Sequence, residues 1–116
     1  MSAITIYHNA RCSKSRQTLQ LLQDNGVNPT IVEYLKEPLN PAQIKVILEK
    51  LGMTAHQLMR YKEADYKSLN IDPATHSEAQ LIEFMATTPK LIERPIVVNG
   101  NKATIGRPPE QVLDII

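Results

Sequence analysis

Two short β-rich runs, Ile4-Thr5-Ile6-Tyr7 and Thr30 to Tyr34, flank a single helical pattern, and this order restricts the chain more than any other feature. Strands separated by one helix pair in parallel through a right-handed crossover, because a right-twisted strand feeding a right-handed helix packs back onto its sheet only in that sense. Lys14 to Asn25 supplies the helix: Leu19 and Leu22 share a face beside Thr18 and Leu21, and Gly26 stands where a C′ glycine belongs. Near the other end, Pro95-Ile96-Val97-Val98, then Asn99-Gly100, then Lys102 to Ile105 carry a strong short hairpin signal. Gly106-Arg107-Pro108 closes that hairpin, and Pro109-Glu110 opens a last helix carrying Val112, Leu113 and Ile116.

The segment between these blocks is helical. Asn40-Pro41 reads as an N-cap with proline at N1, and Ile44, Ile47, Leu48 and Leu51 recur at helical spacing before Gly52. Thr54 to Arg60 fits a further short helix, and Ser77 to Gln80 fits a capping box ahead of Leu81, Ile82 and Met85. The order is therefore βαβ, a helical insertion over about 40–90, then ββα. A parallel pair, an antiparallel hairpin and a closing helix make an α/β fold with a four-stranded mixed sheet, which is the thioredoxin-like plan. With 116 residues, one such domain spans 1–116, since a chain of this size buries roughly 60 to 70% of its unfolded surface in a single core.

Charge and cysteine content narrow the chemistry. Thirteen Lys and Arg against twelve Asp and Glu leave a net charge of +1, without the basic excess of a nucleic-acid binder. No stretch has the apolar core of a signal peptide or a membrane span, and one cysteine cannot close an intramolecular disulfide. These features point to a cytoplasmic protein with a reduced thiol and neither nucleic-acid nor membrane partners. One cysteine with three scattered histidines also lacks the ligand spacing of a zinc site, so no metal is expected.

That cysteine, Cys12, lies in the loop between the first strand and the first helix, within His8-Asn9-Ala10-Arg11-Cys12-Ser13-Lys14-Ser15-Arg16. A free thiol with a pKa of about 8.5 is mostly protonated at neutral pH. At or just before a helix N-cap, orphan N–H groups and the positive end of the dipole favour the thiolate, and Arg11, Lys14 and Arg16 add charge. The same features suit an oxyanion. The plainer alternative is a small buried apolar residue, a common fate of free cysteine. Ser15 occupies the second position of a would-be C-x-x-C pair, so covalent intermediates on Cys12 need an external thiol to clear them. The Ser13 and Ser15 hydroxyls can face the thiolate or simply cap the helix. A phosphatase-type loop, with arginine six residues after the cysteine, is excluded because that residue is Thr18. Arg94, before Pro95, and Arg107, between Gly106 and Pro108, are the arginines best placed on rigid turns, with Arg60 a third candidate.

Four blocks in order, ITIYHNARCSKSR, LMRYKE, LIERPIVV and IGRPPEQVLDI, resemble the glutaredoxin-dependent arsenate reductases of the ArsC type over essentially the whole chain. The resemblance implies Cys12 as nucleophile, Arg60, Arg94 and Arg107 as oxyanion-binding arginines, and His8 and Ser15 as supporting residues that orient the thiolate or favour it electrostatically. It also implies a cis peptide bond at Pro95. The implied reaction joins arsenate to Cys12 as a thioarsenate, which glutathione and glutaredoxin reduce, with glutathione a co-substrate and no bound cofactor. Two other readings share the fold. An Spx-like regulator would bind RNA polymerase, but Ser15 removes the C-x-x-C switch common in that group. A general thiol oxidoreductase would reduce disulfides without arsenate.

Overall fold

In the computed structural model, residues 4–116 are described. They group into two compact units, one formed by the stretch ending at Glu37 together with Arg94–Ile116, the other by Pro38–Glu93.

The first unit holds the sheet. Strand β1 (Ile4–Tyr7) pairs in parallel with β2 (Thr30–Val32) and antiparallel with β3 (Ile96–Asn99), which pairs antiparallel with β4 (Lys102–Ile105). The order β2-β1-β3-β4 is the mixed thioredoxin-like sheet. Helix α1 (Ser13–Asp24) makes the crossover, and its buried residues Ser15, Thr18 and Leu22 face inward. Leu22 packs with Ile6, Val97 and Val112 in a core completed by Ile4, Leu19, Leu21, Val27 and Ile115. Ile6 and Val97 are neighbours across the β1–β3 ladder, so one sheet face carries both toward α1.

Three sequence expectations shift here. The closing segment Pro109–Asp114 is a 3₁₀ turn rather than an α-helix, tied by i to i+3 bonds such as Gln111 N–H to the Pro108 carbonyl. It buries Val112 but leaves Leu113 and Ile116 exposed, because three residues per turn cannot hold a 3.6-residue stripe against the sheet. Strand β2 ends at Val32, short of Tyr34. In the hairpin, Asn99 pairs with Lys102, so the turn is centred on Gly100-Asn101, one residue beyond the Asn-Gly dipeptide. Gly100 takes the positive φ of 62° required at the first central position of a II′-type turn. Asn99 instead donates its side-chain amide to the Ile115 carbonyl, which fixes it as a strand residue.

The second unit is all helix: α2 (Pro41–Leu51), α3 (Ala55–Leu58), α4 (Ala64–Ser68), α5 (Glu78–Thr87) and a 3₁₀ turn at Pro89–Leu91. Ile44, Ile47 and Leu48 on α2, Leu58 and Met59 at α3, and Leu81, Ile82 and Met85 on α5 are its main buried side chains. Helices α2, α3 and α5 each begin with a reciprocal capping box, Asn40 with Gln43, Thr54 with Gln57 and Ser77 with Gln80. Each box satisfies two backbone donors that would otherwise be orphaned at the helix start.

Of the glycines, Gly106 alone sits where a side chain would collide with its surroundings. A Cβ there would lie 2.5 Å from Thr18 Oγ1 and 2.9 Å from the Pro95 ring. Thr18 has no exposed surface and cannot yield. Gly106→Ala is expected to destabilise the protein by about 1–3 kcal/mol through overpacking, read as a lower denaturant midpoint with an unchanged m-value. An unchanged midpoint would mean that this contact relaxes freely.

Candidate active site

The site forms at the end of the sheet where β1 runs into α1. The loop leaves β1 through His8, whose N–H donates to the Val32 carbonyl at 2.8 Å and extends the parallel ladder by one rung. Asn9 then ties the turn together: its carbonyl accepts from Cys12 N–H at 3.0 Å and its side-chain oxygen accepts from Arg11 N–H at 3.0 Å. These bonds deliver Cys12 to the N-cap of α1 in extended conformation, φ −92° and ψ 124°. The free thiol is largely buried, at 8% exposure.

Burial alone pushes the Cys12 thiol up. The opposing influences prevail: the Ser15 N–H, the Arg94 charge, the Lys14 N–H and a hydrogen bond from the Arg94 side chain hold it below the ordinary cysteine value. As a neutral thiol, Cys12 makes no side-chain capping bond. The first-turn amides act on the ionised sulfur, as expected of orphan donors at a helix N-terminus. The cation responsible is Arg94, not the local Arg11, Lys14 and Arg16. Arg16 folds its guanidinium onto the Ala10 carbonyl at 2.9 Å.

Arg107 reaches the same sulfur from the far end of the hairpin, its Nη2 donating to Cys12 Sγ at 3.9 Å while its Nε donates to the Arg94 carbonyl at 2.9 Å. Two peptide bonds in this region are cis, Arg94-Pro95, as the resemblance implied, and Arg107-Pro108. Between them, Gly106 donates its N–H to the Pro95 carbonyl at 2.9 Å. Its own carbonyl lies 3.4 Å from Thr18 Oγ1, whose proton also serves the Lys14 carbonyl at 2.8 Å. The arginine turns and the first turn of α1 are thus joined through buried backbone groups.

The Ser15 hydroxyl does not face the thiolate. It accepts from Asn9 N–H at 3.0 Å and lies 2.6 Å from His8 Nδ1, with no exposed surface. Burial lowers the His8 pKa, Glu33 opposes that shift, and Arg16 adds to it. A neutral ring accepts from the Ser15 hydroxyl at Nδ1 and carries its proton on Nε2, a tautomer assigned from this network. His8 therefore contributes orientation of the loop rather than positive charge. Arg60 belongs to the helical unit, where its guanidinium meets Glu63 at 2.8 Å and Glu93 at 3.7 Å.

Cys12, Ser15, Arg94 and Arg107 therefore converge, with His8 bound to Ser15. Thr18, Gly106 and Asn9 are parts of the site that sequence reasoning passed over. Thr18 was read as one member of a helix face, and only an unusual buried hydroxyl on that face hinted otherwise. An oxyanion approaching Sγ meets two guanidinium groups and the N-terminus of a twelve-residue helix.

Comparison with known proteins decides which family carries this arrangement. A family model described as "ArsC family" matches residues 7–115. The chain belongs to the ArsC family. An arsenate reductase of Haemophilus influenzae is 48% identical over 98% of this chain and 99% of its own length. A protein of Escherichia coli K12, "Uncharacterized protein YfgD", is 55% identical over 97% of this chain and 96% of its own. The solved arsenate reductase from Vibrio cholerae superposes with a TM-score of 0.96 at 45% identity, covering 99% of this chain and 98% of that one. The thioredoxin-like sheet and the family membership thus agree.

The electrostatics of the ArsC-type loop yield a paired expectation. Alkylation of Cys12 followed against pH should show a midpoint below the free-thiol value of about 8.5, and Arg94→Ala should raise it. Because the thiol titrates lower when folded, the folded state holds fewer protons between the two pKa values. Stability should accordingly rise with pH across that window, with this contribution complete above the free-thiol value and absent below the folded one. Ser15→Ala keeps the amide that faces sulfur, so it should leave the alkylation midpoint nearly unchanged. It should nevertheless cost about 1–3 kcal/mol of stability by stranding Asn9 N–H and His8 Nδ1. A large midpoint shift in Ser15→Ala would assign the hydroxyl, not the amide, to the thiolate.

Proposed function

We propose that the protein reduces arsenate to arsenite through a covalent intermediate on Cys12, with glutathione and glutaredoxin as external reductants. The observation that carries this reading is the convergence of Arg94 and Arg107 on a thiol held below its ordinary pKa. The names of the H. influenzae and V. cholerae relatives support the same substrate.

Arsenate enters as a tetrahedral dianion, and the forked donors of Arg94 and Arg107 match its paired oxygens. Arg60 is assigned to the same oxyanion on the family resemblance. The Cys12 thiolate attacks arsenic, an arsenic–oxygen bond breaks, and the oxygen leaves as water after taking up protons. Arsenic remains pentavalent in the resulting thioarsenate. Glutathione then attacks the adduct and glutaredoxin completes the exchange. The two electrons that arsenic gains are those given up when two thiols join in a disulfide. Ser15 in the second C-x-x-C position makes the external thiol obligatory, since the chain has no other cysteine. This chemistry needs no resident cofactor or metal, takes glutathione as co-substrate, and suits the reducing cytoplasm. No described helix is long and apolar enough to cross a membrane.

Arsenate reduction coupled to glutathione and glutaredoxin should be measurable in the wild type and absent in Cys12→Ser, because a hydroxyl is a poor nucleophile at neutral pH. Withholding the two reductants should also return turnover to background. Arg94→Lys and Arg107→Lys should each lose on the order of 10²-fold in kcat, as expected when a fixed oxyanion donor is removed. Substantial turnover by Cys12→Ser would eliminate the covalent route. Wild-type activity in both lysine variants would mean that charge alone, without the planar fork, holds the substrate.

A further inference from the structure

Beside the Cys12 loop lies a cleft of about 330 Å³ that the chemistry described so far does not use. Its walls are the loop residues His8, Asn9, Ala10 and Arg11 on one side and Glu33, Leu35 and Lys36, just past β2, on the other. The sheet order explains its position. At the end of the sheet where β1 delivers Cys12, parallel β2 delivers Glu33 to Lys36 on one flank. Antiparallel β3 starts there on the other flank, with Arg94 just before it, and β4 ends there, followed by Arg107. The cleft and the arginine pair therefore occupy opposite sides of the loop that carries the thiol.

We infer that this cleft is the seat of the external thiol, a glutathione molecule approaching Cys12 from the β2 flank while the oxyanion is held on the β3–β4 flank. The choice of glutathione rests on the function proposed above; the placement rests on the cleft. At neutral pH glutathione carries two carboxylates and one ammonium, and the cleft offers two cations, Arg11 and Lys36, and one carboxylate, Glu33. Leu35, an exposed apolar side chain, supplies a wall for the tripeptide's methylenes. Its volume falls in the range of small-molecule sites. Lys36 and Glu33 already face each other at 3.7 Å, with the lysine 77% exposed. Such an exposed pair contributes little to stability, so both ends can exchange partners for a zwitterion at small cost. Separating the two flanks lets the incoming thiol reach the Cys12 adduct without displacing the arginines from the arsenic oxygens.

Isotope-labelled Cys12→Ser, which cannot form a mixed disulfide, is titrated with reduced glutathione and its amide resonances are followed. Saturable shifts are expected at Asn9, Ala10, Leu35 and Lys36, and in Cys12→Ser carrying Lys36→Glu they should need about tenfold more glutathione to reach half-saturation. Shifts that cluster elsewhere, or none, overturn the assignment. In the active protein, Lys36→Glu should raise KM for glutathione about tenfold, the scale of one charge-assisted contact, and leave KM for arsenate unchanged. A Lys36→Glu enzyme with the wild-type KM for glutathione refutes the cleft while leaving arsenate reduction intact. Saturable shifts at the four cleft amides in a protein that fails to reduce arsenate would support the cleft and discard the substrate.

Discussion

No side chain fits at Gly106, and the reactive end of the sheet is organised around that exclusion. The glycine backbone presses against Thr18 of α1 and the ring of Pro95, donating to one carbonyl and offering its own to the Thr18 hydroxyl. This contact makes α1, the start of β3 and the turn after β4 one packed body. Arg94 and Arg107, thirteen residues apart in sequence, are further tied by the bond from Arg107 Nε to the Arg94 carbonyl. A methyl group at position 106 would press apart the elements that aim both arginines at Cys12.

The thiol is governed by a competition between burial and donors. Moving sulfur out of water disfavours the thiolate, yet two amides of the first helical turn and the Arg94 side chain outweigh that effect. The same donors suit the oxygens of an oxyanion, so activating the nucleophile and recruiting its target share one set of groups. The Ser15 residue divides its labour: its backbone N–H favours the thiolate, while its hydroxyl holds His8 and Asn9 in the loop.

Much of this was legible in the sequence wherever the cause is local. Asn40-Pro41 and Ser77 mark helix starts by side-chain chemistry and Gly52 marks a helix end by its left-handed backbone, all acting within four residues, and Cys12 could be placed at a helix start from equally local signals. The parallel β1–β2 pair and the antiparallel β3–β4 pair followed from the single intervening helix and the turn signal, whereas the seating of β3 beside β1 is set by the structure. What stayed hidden depends on distant partners. Asn99 enters the strand because its side chain reaches Ile115, so the turn moves one residue along. The apolar positions Val112, Leu113 and Ile116 of the closing segment suggested an α-helix, but of these three only Val112 finds the core. The local basic company pointed to Arg11, Lys14 and Arg16 as activating charges, whereas the acting cation comes from Arg94, at the start of β3. Nothing in the sequence foretold that Thr18 and Gly106 would meet.

The helical unit carries a quieter consequence. Each of its three capping boxes closes with glutamine, at Gln43, Gln57 and Gln80, where glutamate would serve equally well at neutral pH. Carboxamides neither titrate nor depend on counterions for their hydrogen bonds. The starts of α2, α3 and α5 are thus fastened by latches that acid does not open and salt does not loosen.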